Sequence, residues 1–442
     1  MSTKKSVSLI ASITVVMLML ACSAVPLPFV ATSTSIPTNT STPTPQPTST
    51  PTPNYPIATL KIVSSLPMSG ISHSTTQTIV NAEILRLEQA NYSVCGGKYK
   101  VEYEAWDDAS AALGKWDPAL ETENANNAVT DNSIIAYLGT FNSGAARLSI
   151  PILNEANLVM ISPANTYPGL TKPGKGDFGE PDKYYPSGTR NYARVSTADD
   201  VQGSFAAHFM KDTLSVNTVY IIDDQELYGQ ILADSFETAA KKIGLTVVGR
   251  SSIDPSASSY KSLMKQISTS NNGKPPDAIY ASMVVDNNAG QLIKDKVAVL
   301  GDNTQVKFMG PDGIQTQYFI DVGGNATTGV YATVGGLPFE ALPDIGQQFI
   351  KDYESKYGSL YDPYAVYGYE AMNVLLKAIE DVCASGGDAT DRDTVRAAVF
   401  AIKDFNGALG TWSFDENGDI SLTDMTVYQV KNSEYAEVGV YK

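Results

Sequence analysis

Histidine and cysteine are scarce in this chain: 2 and 3 among 442 residues. Neither histidine stands in a metal-ligand spacing, and the cysteines are too few for a disulfide scaffold. His73 and His208 read as a loop residue and a helix residue, so a histidine-based catalytic triad has no motif support. Basic residues are also short, Lys+Arg 31 against Asp+Glu 47, for a formal net charge of −16. That balance argues against a nucleic-acid surface or a polybasic membrane patch, although it selects neither an acidic nor a basic small molecule. A glycine-rich phosphate loop and a nucleotide fingerprint are missing as well. Asp415, Asn417 and Asp419 suggest a calcium loop only superficially, because Gly418 falls at loop position four and no glutamate follows at position twelve. No metal and no cofactor are therefore expected. The chain is long enough for two sizeable cores.

One continuous apolar run stands out, Val7 through Leu20, preceded by Lys4 and Lys5. It has the form of a secretory signal and is short for a permanent span. Leu18-Met19-Leu20-Ala21-Cys22 resembles the lipobox of bacterial lipoproteins, in which cleavage leaves the cysteine N-terminal and diacylated. A plain signal with a chance cysteine, or a retained membrane helix, are the alternatives. Residues 1–21 are then a signal peptide, Cys22 the lipid attachment site, and 22–56 a Ser/Thr/Pro-rich linker. That tract cannot form a core and favours extended, polyproline-like conformations. The expected location is the extracytoplasmic face of the cell membrane.

The most informative stretch runs from Ile134 to Thr166, IIAYLGTFNSGAARLSIPILNEANLVMISPANT. Ile134 to Leu138 is too uniformly apolar for a half-exposed strand and suits the interior of a parallel sheet. Gly139 breaks it, and the apolar spacing becomes helical from Ala145. Ser143 is placed to cap that helix, and its hydroxyl together with the free N–H groups there can hold an anion. A structural cap alone is the plainer reading. The strand Leu158 to Ile161 ends in Ser162-Pro163-Ala164-Asn165-Thr166, so two strand ends deliver polar loops to the carboxyl edge of one sheet, where open α/β folds bind ligands.

Folding is expected to begin near Ile57. A strand over 59–66, a helix over 76–89 and a strand over 100–106 lead to Asp107 and Asp108. With no histidine or third ligand nearby, that acidic pair reads as a solvated turn. Residues 167–192 are a long surface excursion near the cleft, and their Tyr-rich, basic end could form part of a lid. A second βα series follows, with strands at 219–222, 245–248, 277–281, 306–309 and 329–334, and helices at 230–243, 259–268 and 287–300. Pro311-Asp312-Gly313 repeats the strand-end pattern. Its carboxylate can accept hydrogen bonds from an ammonium group, or simply stabilise the turn. Helices over 343–357 and 365–382, a hairpin around Asn417-Gly418 and a strand over 425–430 close the chain. With Cys22 assigned to lipid, Cys95 and Cys383 are either bonded to each other or two free buried thiols.

In order and spacing, several motifs are similar to those of type I periplasmic-binding-fold proteins. They are Pro67-Met68-Ser69-Gly70, Asp107-Asp108, Gly139 with Ser143-Gly144, Ile161 through Thr166, Asp200 with Gln202-Gly203, Tyr228-Gly229, Phe308 through Gly313, and Leu409-Gly410 through Asp419. The resemblance is to the branched-chain amino-acid (Leu/Ile/Val) binding components of ABC importers. It implies two doubly wound α/β lobes joined by three hinge crossings, near Val195, Gly335 and Met425. Lobe one would be 57–195 plus 336–425, and lobe two 196–335 plus 426–442. The same resemblance assigns the ligand carboxylate to Ser143 and Thr166, with backbone groups near Ser143 and Ala164. It assigns the ammonium to Asp312 and closure of the cleft to Tyr228. The partners it implies are a small amino acid and an ABC permease, and the function is non-enzymatic capture and delivery. Met283 to Asn287 carries no aromatic residue where some branched-chain binders have one, and related proteins take amides, urea or aromatic acids. A sensory receptor of the same fold is the other reading.

Overall fold

The computed structural model describes residues 56–441; the leader, Cys22 and all of the Ser/Thr/Pro-rich tract except Pro56 lie outside the described residues. Two sheets organise the rest. The first runs, in spatial order, Ser93–Val94, Tyr99–Asp107, Ala58–Leu66, Ile134–Gly139, Val159–Ser162 and Tyr192–Arg194. Its strands are parallel apart from the short Ser93–Val94. Ile134–Gly139 is buried along its whole length, as a parallel strand covered on both faces requires. The period of two in a strand decides which face each side chain serves. Leu60, Ile62, Ala136 and Leu138 join the core under helices His73–Gln89 and Tyr364–Ala384. Val63, Tyr137 and Met160 join the core under Pro118–Thr130 and Ser143–Glu155. Each such aliphatic chain contributes about 1.5–3 kcal/mol on burial.

The second sheet has the order Thr246–Ser252, Thr218–Asp223, Ala278–Ser282, Lys307–Gly310, Tyr331–Gly335, Met425–Lys431 and Glu434–Tyr441. The first five strands are parallel and the last two antiparallel. The chain therefore leaves the first sheet after Arg194, returns after Gly335 and crosses again before Met425. Between the last two crossings, helices Asp344–Tyr357, Tyr364–Ala384 and Arg392–Phe400 add to the first core. This is a mixed α/β architecture of two lobes, each with its own sheet. Among the described residues no helix is long and apolar enough to cross a membrane.

The first and third crossings are tied by a buried ion pair. Arg194 Nε donates to Asp419 Oδ1 at 2.7 Å, and its other nitrogens donate to Tyr167 O (2.8 Å) and Thr171 Oγ1 (2.6 Å). Burial works to raise the Asp419 pKa, but the Arg194 charge outweighs it and holds the carboxyl below its usual value.

Several expectations need correction. Asp107 does make a turn, accepting from the N–H groups of Met68 and Ala109 at 2.8 Å each. Asp108 is not solvated: it is fully buried, and neither carboxylate oxygen finds a hydrogen-bond partner. Burial, then the charge of Glu121, pushes its pKa well above the ordinary carboxylate range. The aromatic end of the 167–192 excursion is not a lid, since Tyr184, Tyr185 and Tyr192 are buried in the lobe-one core with Leu153 and Met160. Across Asn417-Gly418 there is only the single bridge Phe414 to Ile420, and Gly410–Trp412 pairs instead with Phe405–Gly407. The helix Pro118–Thr130 was not anticipated because it buries only Glu121, Ala125 and Ala128 and so carries no apolar stripe. Cys95 and Cys383 form a disulfide that ties the edge of the first sheet to the end of helix Tyr364–Ala384.

Candidate functional site

The parallel registers put the loops after Leu66, Gly139 and Ser162 on one edge: Ser65 lies beside Gly139, and Leu138 beside Ile161. Gly139 has φ +146°, and a Cβ there would lie 2.6 Å from the Ser65 carbonyl oxygen. Only glycine lets the strand end turn against its neighbour. The chain then reaches Asn142, with extended backbone (φ −89°, ψ 134°), and enters the helix at Ser143. The expected cap is therefore one residue off: Asn142 holds that position, and its carbonyl accepts from Ala145 N (3.1 Å) and Ala146 N (3.2 Å). Ser143 Oγ accepts from Tyr167 N at 3.4 Å. That leaves the hydroxyl proton to donate, beside the free N–H groups that open a helix. A Cβ on Gly144 would meet the Trp116 ring at 2.7 Å, so this helix end is packed tightly under an indole.

The neighbouring loop is stitched to it. Ser162 Oγ donates to Thr140 O (2.9 Å) and accepts from Ala164 N (3.1 Å) and Asn165 N (2.8 Å). Asn165 Nδ2 donates to Phe141 O at 3.0 Å. The Ala164 N–H is thus already taken, which leaves its carbonyl, an acceptor, as the backbone group it can offer. Behind Thr166, whose carbonyl accepts from Asp199 N at 2.8 Å, the Asp199 side chain is fully buried. Burial, then the charge of Asp312, pushes the Asp199 carboxyl well above its usual range.

From lobe two, the strand Lys307–Gly310 delivers Asp312 in a short helical turn, Asp312–Ile314. A Cβ on Gly313 would lie 2.7 Å from Met283 O, so glycine lets this turn lie against the neighbouring strand end. Asp312 Oδ1 accepts from the Tyr228 hydroxyl at 2.7 Å, and Oδ2 accepts from the Tyr364 hydroxyl. Gly313 N donates to the Tyr228 oxygen at 3.3 Å. Burial, reinforced by the Asp312 charge, raises both phenol pKa values well above the ordinary one, so both remain donors.

These groups surround a small cavity between the loops. Ser143, Ala164 and Thr166 line it from lobe one, and Tyr228 and Asp312 from lobe two. Phe141, Asn142, Val284, Gly313 and Tyr364 also line it, and none of them is among the site residues named from the sequence. Tyr364 opens a helix of the first core yet bonds to Asp312 of the second lobe, so it spans the cleft. Three further hydrogen bonds cross it nearby. Lys115 Nζ donates to Glu226 and to Asn287 Oδ1 (2.9 Å), and Ser72 Oγ donates to Asp286 Oδ2 at 2.5 Å. The cavity walls include no lysine, arginine or histidine. One side presents a hydroxyl at a helix end, the other a buried carboxylate, a pattern complementary to a small molecule bearing both charges. Among the described residues no group of three or more His, Cys, Asp or Glu could hold a metal ion.

Residues 59–435 match the periplasmic binding protein family. The Leu/Ile/Val-binding protein BraC3 of Rhizobium johnstonii is 25% identical over 330 residues, covering 75% of this chain and 80% of that protein. Among solved structures, a leucine-binding protein of Thermotoga maritima superposes with a TM-score of 0.73 at 24% identity, over 87% of this chain and 99% of its own. A solute-binding protein of an ABC transporter from R. palustris, in complex with benzoate, gives 0.69 at 20% identity, over 86% and 96%. At these identities the structural likenesses speak to the fold.

Proposed function

The chain belongs to the periplasmic binding protein family, and from that premise we propose that it is the extracytoplasmic substrate-binding component of an ABC importer. Its solute is a small amino acid of the branched-chain size class, captured between two lobes and delivered to a membrane permease. The observation that carries this reading is the division of the cleft into a donor end and an acid end. At the donor end, Ser143 and the opening N–H groups of its helix meet a ligand carboxylate, with Thr166 alongside. At the other, Asp312 meets the ammonium while Tyr228 and Tyr364 hold its oxygens in place. An aromatic acid, such as the benzoate bound to the R. palustris protein, brings no cation for Asp312. It would leave a buried carboxylate facing a ligand of the same sign, and the amino-acid reading is preferred for that reason.

Capture needs no covalent chemistry. Ligand contacts made by both lobes favour the closed form over the open one, and the closed form is what a permease can distinguish. We extend the reading to the amino terminus: Cys22 carries the lipid, and the Ser/Thr/Pro-rich tract holds the binding unit off the membrane. A thermal-shift panel of amino acids, aromatic acids, amides and sugars tests it. A ligand present at 100 times its Kd stabilises the folded state by about 2.7 kcal/mol. Shifts with small amino acids are expected, and a shift confined to aromatic acids or sugars would sink the assignment.

A further inference from the structure

We propose that Asn142 reads the ligand side chain and selects a hydrogen-bonding group, a hydroxyl above all, over a hydrocarbon of the same shape. The inference rests on the amino-acid reading above and narrows it. Asn142 lines the cavity, its Oδ1 is shielded from solvent, and that oxygen accepts no hydrogen bond. The residue sits at the N-cap of helix Ser143–Glu155, where an asparagine side chain ordinarily accepts from the first turn; here it makes no such bond. The backbone carbonyl of Asn142 starts the helix instead, through Ala145 N and Ala146 N. The amide is thus released from that structural task, with its oxygen shielded beside the site although the residue as a whole is half-buried.

None of the protein groups around it bonds to that oxygen. Phe141 and Tyr364 meet edge to face at 5.5 Å, Val284 lies across the cavity wall, and the Tyr364 hydroxyl is committed to Asp312. A carbonyl kept from water with nothing in return is a standing penalty. A ligand hydroxyl removes it, and because a hydroxyl both donates and accepts, it pairs with either end of the amide. An isosteric methyl leaves the amide unpaired, and a site built to bond a ligand hydroxyl discriminates strongly against the analogue that lacks it.

Threonine and valine form the isosteric pair that tests this. Calorimetric titration of the protein should show L-threonine bound about 10-fold or more tighter than L-valine. In Asn142→Ala that preference should disappear, through weaker threonine binding with valine little changed. Equal or tighter binding of valine by the unmodified protein overturns the inference alone, and so does an equal loss for both ligands in the variant, which would place the amide on the α-groups. No binding of either amino acid, alongside a thermal shift from an aromatic acid, overturns the amino-acid reading and this inference with it. The first comparison needs no variant, so it stands even if Asn142→Ala folds poorly.

Discussion

Replacing Asp312 by asparagine keeps the shape of the side chain and removes its charge. The carboxylate is buried and accepts from two phenols, Tyr228 at 2.7 Å and Tyr364 from the opposite lobe. In the proposed complex it also faces the ligand ammonium. Asparagine can still accept from one phenol, but its NH2 then points a donor at the other phenol or at the ammonium. Breaking one partner of a buried, hydrogen-bonded charge pair costs about 2–5 kcal/mol, or about 30-fold to a few thousand-fold in Kd. The deaminated acid of the same ligand makes no ammonium contact and should bind the variant no worse than the unmodified protein. Calorimetry with both ligands on both proteins closes the cycle, and the difference of differences isolates the ammonium term. An equal loss for the amino acid and its deaminated acid would refute the assignment of Asp312 to the ammonium.

Other expectations follow from neighbouring contacts. Tyr364→Phe removes the one hydroxyl that crosses from lobe one to Asp312, and a hydrogen bond to a charged group is worth about 1.5–3 kcal/mol; affinity should fall about 10-fold or more, read by calorimetry, with little change in Tm of the unliganded protein. Replacing both Cys95 and Cys383 by alanine should lower stability by about 2–5 kcal/mol in urea unfolding while leaving ligand affinity unchanged, because the disulfide lies beside the amino end of strand Tyr99–Asp107, away from the ligand edge. Stability should decline with rising pH. Burial pushes the Glu83 carboxyl from 4.5 up to about 8 and that of Glu121 up to about 7. Both hold a proton in the folded state that the unfolded chain releases, so their contribution is full below pH 4.5 and is lost as pH rises through 7 to 8. Glu83→Gln should flatten that slope in pH-dependent denaturation; an unchanged slope would show that Glu83 is charged in the fold.

The parts of the site that could be read in the sequence share a physical reason. Ile134 to Leu138 announces a doubly covered strand by its continuous apolarity, and Gly139 marks its end because the close approach to Ser65 tolerates no side chain. A strand end followed by small polar residues is where an open α/β sheet keeps its ligands, so Ser143, Thr166 and Asp312 could be named. What escaped notice depends on distant parts of the chain. Tyr364 lies 52 residues from its acceptor Asp312, and Arg194 lies 225 from Asp419. Asp108 looks like any turn aspartate until the fold sets it beside Glu121. Asn142 carried a local signal, an Asn-Ser-Gly at a helix start, but that signal names Asn and Ser equally as caps. The choice between them is made by the Ser143 hydroxyl turning to Tyr167 N, a tertiary contact.

The most direct test of a cleft built for a zwitterion is calorimetric titration of the unmodified protein, stripped of any co-purified solute, with three forms of one small amino acid. These are the free amino acid, its deaminated acid and its carboxamide. The account predicts that only the free amino acid binds tightly, since the deaminated form brings no cation to Asp312 and the amide removes the charge that Ser143 and Thr166 are proposed to hold. Binding of the deaminated acid as tightly as the amino acid would contradict it.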